Sequence, residues 1–206
     1  MGKYRRLVRG FEMHVGTGLG LGASAIIGVS AGVGLPAPVI AADYLSIEAA
    51  QKVVCPEADA FKEIVVALSA TQQQAVMALA GPQPNRGHLR IWQALRAGAV
   101  VGYVFIDEVI GRQDLITYAL GIDPQGRLRP VEILSYRESH GGEIRNRAWR
   151  EQFGGRSGLQ QLRFRRDIKN IAGATLSSEH ITQGVRWLAA LWQVVLQPAT
   201  TPATHP

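Results

Sequence analysis

Residues 97–136 constrain the fold more than any other part of the chain. In AVVGYVFIDEVIG, Val101, Tyr103 and Phe105 oppose Val100, Val104 and Ile106. That alternation is the period of a strand. The tetrapeptide DPQG, residues 123–126, has proline second and glycine fourth, as a tight turn requires. The apolar runs on either side, 114–122 and 129–136, then read as two further strands. Three consecutive strands with tight links make an antiparallel meander. Helical patterns surround it, so the expected class is α+β, an antiparallel sheet packed against helices.

The helical patterns are distinct. Residues 46–54 read as a short helix that Pro56 interrupts. EADAFKEIVVAL, residues 57–68, reads as a second helix, with Phe61, Ile64, Val65 and Leu68 on one side. SATQQQAVMALAG reads as a third, with Thr71 as cap and Gly81 as stop. Residues 143–155 suit a short helix and turn, with Trp149 and Phe153 four apart as anchors. Residues 159–164 read as extended. The last helix is expected to begin near Ser177 or Ser178. Its Ile181, Val185, Leu188, Trp192 and Val195 form one apolar stripe, which is a core pattern. Pro198 ends it, and residues 198–206 read as a disordered tail.

The N-terminus has another character. Lys3, Arg5, Arg6 and Arg9 stand against Glu12, so this stretch carries half of the net charge of +6. From Val15 to Ala42 there are 28 residues without a charge. A basic start and an apolar run, with Val39 and Ala41 placed for cleavage, read as an export signal. The run also suffices for an uncleaved membrane anchor. In both cases the basic end stays in the cytoplasm and the body is exported. The expected layout is a signal or anchor over 1–42, a helical segment over 43–96, a domain over 97–197 and a tail over 198–206. The remaining charge of the body is small and forms no basic stripe, which argues against a nucleic-acid partner. The lone Cys55 allows neither an intrachain disulfide nor a cysteine metal site.

The chemistry concentrates in NIAGATLSSEHITQGV, residues 170–185. A helix start presents unpaired N–H groups and the positive end of a dipole. A phosphate is stabilised there, and Gly173 lets the chain approach one closely. Thr175 would adjoin that phosphate. Capping by Thr175, Ser177 or Ser178 accounts for the same residues without a ligand.

The stretch resembles the flavin-attachment motif of the FMN-binding domain family. Members of that family include covalent-flavin subunits of bacterial ion-pumping oxidoreductases and small exported relatives. The resemblance implies that Thr175 is esterified to the FMN phosphate by a flavin transferase. Gly173 and Ala174 match the motif's small residues, and Ser177 and Ser178 match its following hydroxyl. Ala172 stands where the family carries Ser or Thr, and Lys169 where it carries an acid. A second stretch, YRESHGGEI, resembles the family element that follows a strand and lines the flavin. There it implies cofactor-binding roles for Glu138, Ser139, His140 and Gly141. The resemblance spans about residues 98–196 and places the flavin site at the N-terminus of the last helix.

Several other polar groups adjoin these motifs. Arg165, Arg166, Arg145 and Arg147 are each either phosphate neighbours or solvent-facing. His180 lies in the first turn of the last helix, near the expected phosphate. No Gly-x-Gly-x-x-Gly follows a strand, so no nicotinamide site is expected. No nucleophile or acid–base constellation points to hydrolysis. The resemblance thus implies a periplasmic or outer-face electron carrier that holds FMN and serves a membrane redox partner. Ala172 and Lys169 motivate the alternative, an accessory module with a lost or non-covalent flavin site.

Overall fold

The computed structural model describes residues 42–82, 88–138 and 140–197. The signal or anchor expected over 1–42, except its last residue, and the tail expected over 198–206 lie outside the described residues. Six antiparallel strands form one sheet. They are β1 (Ala42–Asp43), β2 (Ala60–Ile64), β3 (Arg90–Arg96), β4 (Ala99–Ile110), β5 (Leu115–Ile122) and β6 (Glu132–Tyr136). Their spatial order is β1-β6-β5-β4-β3-β2. The expected meander is β4-β5-β6, and the DPQG turn closes with the Gly126 N–H donating to the Asp123 carbonyl at 2.9 Å.

The helices are α1 (Ile47–Val54), α2 (Ala70–Ala80), α3 (Arg147–Arg150) and α4 (Thr175–Leu191). A π-helical turn, Trp192–Leu196, continues α4. Helix α4 lays its stripe on one face of the sheet. Ile181, Val185 and Leu188 are fully buried there with Phe105, Ile116 and Leu120. Helix α2 packs beside α4 on that face. The opposite face carries α1, whose Ala50 and Val54 meet Val104, Ile106 and Leu134. Both faces of the central strands are therefore buried, and the hydrophobic term acts on each. Among the described residues, no helix is long and apolar enough to cross a membrane.

Three sequence expectations change. Residues 57–68 contain strand β2 rather than a helix. Phe61 packs toward the α1 face and Ile64 toward the α4 face, which is an alternation of period two. The cause is a partner the pattern did not disclose: β3, to whose residues the sequence assigns no element. Arg90 of β3 grips the Glu63 carboxylate of β2 through two hydrogen bonds, 2.8 and 2.9 Å. The stretch 43–96 thus supplies strands to the sheet as well as helices. The cap of α2 is Ser69, not Thr71, because Ser69 and Gln72 satisfy each other's backbone N–H in a capping box. Residues 159–164 are not extended, since Leu159–Gln161 forms a 3-10 turn. The expected Trp149–Phe153 anchor is present as an edge-on ring pair with centroids 5.3 Å apart.

Lone Cys55 is 1 % exposed, and burial pushes its thiol up to about 12, which leaves it inert. A second buried polar group lies beneath α4. The Tyr118 hydroxyl donates to Asp107 Oδ2 at 2.7 Å across the β4–β5 pair. Asp107 Oδ1 is buried with no hydrogen-bond partner among the described residues. Gly184 of α4 lies over this pair, where a Cβ would collide with the Tyr118 hydroxyl. Burial pushes the Asp107 carboxyl up to about 6, against the opposing pull of the Tyr118 hydrogen bond.

The folded state therefore prefers the protonated acid. Its contribution is fully present below the unfolded value of about 3.9 and is lost as pH rises toward 6. Replacing Asp107 by Asn removes this dependence. The expected difference between wild type and Asp107→Asn grows by about 2 kcal/mol from pH 4 to pH 7 in favour of the variant. Urea denaturation at both pH values measures it.

Candidate functional site

The start of α4 carries no cap. Ala174 occupies the cap position and no side chain accepts from the first helical N–H groups. The capping explanation for Thr175, Ser177 and Ser178 therefore fails, and the helix begins at Thr175, two residues before its expected start. Ser178 is fully buried, and its Oγ lies 3.0 Å from the Thr175 carbonyl and 3.1 Å from Asn170 Oδ1. The Asn170 amide donates in turn to Thr175 Oγ1 at 3.2 Å. Asn170 thus orients the threonine hydroxyl, a link that the sequence pattern did not reveal. Lys169, one residue earlier, has its N–H on Gln152 Oε1 and its carbonyl on the Trp149 indole.

A cleft of about 340 Å³ opens at this helix start. Gly173, Ala174, Thr175 and Ser177 line it, with Glu138 and His140 from the loop after β6. Leu176 and Arg112 complete the lining and were not singled out from the sequence. Arg112 lies in the β4–β5 turn. The one available signal was its place in a polar GRQD between two strand patterns. Gly173 has φ +85, and a Cβ there would meet nothing within 4 Å. Only its backbone conformation demands glycine, and the space beside it is open. Of the other expected residues, Gly141 and Ser178 are packed behind the cleft, and Ser139 lies outside the described residues.

Two polar anchors hold the cleft's walls together. The first is Glu138. Its Oε1 accepts from the N–H groups of Arg112, Gln113 (2.8 Å) and Asp114 (3.2 Å). The carboxylate thereby ties the post-β6 loop to the β4–β5 turn and places Arg112 at the cleft. The second is Tyr136, which is 4 % exposed. Its hydroxyl donates to the His140 carbonyl, and the Ser177 hydroxyl hydrogen-bonds the same phenol. Burial raises the Tyr136 phenol above its ordinary value, and the Ser177 bond opposes that rise.

Gly141 makes this junction possible. It has φ +87, and a Cβ there would lie 2.5 Å from the Tyr136 hydroxyl and 3.3 Å from the Ala174 Cβ. Tyr136 opens the YRESHGGEI stretch, whose resemblance implies no role for it. Its period-two position in β6 points it at the α4 face, and only the fold puts α4 there.

The histidines and remaining arginines divide differently from their expectation. His180 is held to the end of β4, with Nδ1 donating to the Ile110 carbonyl at 2.6 Å. His140 is exposed at the cleft. Arg165 lies over the Phe164 ring, Arg145 over the Tyr44 ring, and Arg147 pairs with Glu151. None of these, nor Arg166, lines the cleft, whose arginine is Arg112. Among the described residues no cluster of His, Cys, Asp or Glu suits a metal.

The donor set suits a phosphate monoester. Uncapped N–H groups at a 17-residue helix, an arginine and a hydroxyl face one opening. The dipole and the guanidinium both favour an anion there. If Tyr136 is the junction, Tyr136→Phe weakens loop and helix together. The expected loss is about 1 kcal/mol of stability, from removing the phenol's hydrogen bonds to the His140 carbonyl and to Ser177. Denaturant midpoints measure it.

Residues 111–189 match the family model described as FMN-binding domain. The match begins at the β4–β5 turn and ends within α4, and every residue lining the cleft falls inside it. No curated protein matches the chain.

Proposed function

From the premise that residues 111–189 are a domain of the FMN-binding family with FMN as cofactor, we propose that the chain is an electron-carrying flavoprotein whose FMN phosphate is esterified to Thr175. Bound FMN supplies the one- or two-electron chemistry, and the protein supplies position and electrostatics. The observation that carries the reading is the uncapped start of α4, with Thr175 Oγ1 at the opening and the space beside Gly173 clear.

Each cleft residue then has a task. Asn170 holds the Thr175 hydroxyl in one orientation for linkage by a flavin transferase. The first-turn N–H groups and Arg112 offset phosphate charge. Glu138 keeps Arg112 in place through the turn backbone rather than touching the cofactor with its own charge. Tyr136 and Ser177 fix His140 at the rim. Asn170 also bears on the family's missing acid: a neutral amide one position later orients the hydroxyl in this chain.

The basic start and the uncharged run before Ala42 support export to the periplasmic or outer face of the membrane. Covalent attachment fits that place, where lost FMN is not readily replaced. A membrane-bound redox partner would exchange electrons with the domain, as a carrier or as an oxidoreductase component.

Thr175→Ala is expected to abolish flavin that survives denaturation while leaving the fold intact. Thr175→Ser retains it, because the hydroxyl remains. In-gel flavin fluorescence with a co-expressed transferase reads both, and persistent fluorescence in the alanine variant rejects the ester. Cell fractionation is expected to find the chain in membranes or periplasm. Recovery of the full-length chain from cytosol rejects export.

A further inference from the structure

The register of the sheet brings three independent features to one end of the domain. In β1, Ala42 pairs with Tyr136, and Tyr136 pairs with Ile116 of β5. Ile116 in turn pairs with Val109 of β4. The chain therefore enters the sheet level with the last residues before the β4–β5 turn. Strand β1 runs away from that turn, so the attachment point of everything before Ala42 is at the turn end. The cleft opens at the same end, because Arg112 of the turn lines it.

The third feature is apolar. Ile110 and Leu115, a cross-strand pair at the turn, are 49 % and 46 % exposed, and Leu176 in the first turn of α4 is 46 % exposed. Ile110 and Leu115 sit on one side of the hairpin and Leu176 on the cleft side. Large exposed apolar side chains thus stand at this end on both faces of the hairpin, Leu176 lining the cleft and Ile110 and Leu115 on the face away from it. Arg112 adds a cation at the rim. Asp114 is the exposed acid of the turn, and the Glu138 carboxylate is occupied by turn N–H groups.

The uncharged run of 28 residues ends at Ala42, the first residue of the sheet. A spanning helix uses about 20 residues. The remaining spacer, roughly eight residues, reaches at most about 28 Å when extended. We propose that this end of the domain contacts the lipid bilayer: Ile110, Leu115 and Leu176 rest at the interface and the cleft opens toward the membrane. The proposal rests on the reading of residues 15–42 as a retained anchor. It gives the exchange of electrons a direction, toward a partner within the bilayer plane rather than a soluble one.

The test uses the full chain in vesicles of phosphatidylethanolamine and phosphatidylglycerol with brominated acyl chains. A bimane label is attached at Leu115→Cys or, at the opposite end of β4, at Val100→Cys. Native Cys55 is buried and inert, so it gives no background. Quenching by the brominated lipid is expected to be at least threefold stronger at position 115 than at position 100. Equal quenching, or none at either site, overturns bilayer contact. Quenching at 115 that appears only in native membranes also overturns it, and assigns the surface to a membrane protein. Flotation of the unlabelled chain reports the anchor separately: a chain that does not float sinks both readings. A floating chain without differential quenching sinks the docking alone. Intact mass of the same sample reports the flavin on Thr175 independently of either result.

Discussion

The cleft exists because one phenol joins the end of β6 and the loop that follows it to the start of α4, some forty residues further along the chain. Tyr136 ends β6, receives the Ser177 hydroxyl from α4 and donates to the His140 carbonyl of the intervening loop. Its burial makes these bonds costly to lose, since a buried donor left unpaired retains its full desolvation penalty. Gly141 has no Cβ and so lets the loop close onto Ala174. Without that closure the helix start would face solvent rather than a walled opening. The Glu138 clamp on the β4–β5 turn depends on the same loop path, so the position of Arg112 follows from it.

The sheet supplies the frame for this junction. Helix α4 lies along β4, with His180 fastened to the strand's last carbonyl. The buried Asp107–Tyr118 pair, with Gly184 above it, lies under the same helix. A buried acid without a full set of partners is unfavourable when charged. The apolar burial on both faces of β4 and β5 offsets that term. The structure thus accepts a local electrostatic cost within the layer that positions the helix start.

Much of this was legible beforehand, for identifiable reasons. The meander announces itself because half-buried strands alternate and DPQG leaves few backbone choices. The stripe of α4 is legible because a one-sided helix repeats apolar residues every three or four positions. The flavin motif was found by resemblance. Strand β2 was misread because its short sequence fits a helical period equally well, and its partner β3 lacks a strong alternation. The capping role of Ser177 and Ser178 was also misread. Hydroxyls near a helix start favour caps in general, but here both are drawn inward, one to Tyr136 and one to Asn170 and the Thr175 carbonyl.

The sequence by itself determined the class of fold, the order of the meander, and the stripe that docks the last helix, and it marks the motif around Thr175 through its resemblance to a flavin-binding family. Those properties are carried by local periodicity, turn chemistry and contiguous motif, all of which act over a few residues. Only the tertiary structure decided that Arg112, Glu138, Tyr136 and Asn170 meet around that threonine, and that the chain enters the sheet at the same end. Such meetings are set by strand register and by the packing of α4, which link residues far apart in sequence, and no short-range pattern encodes them.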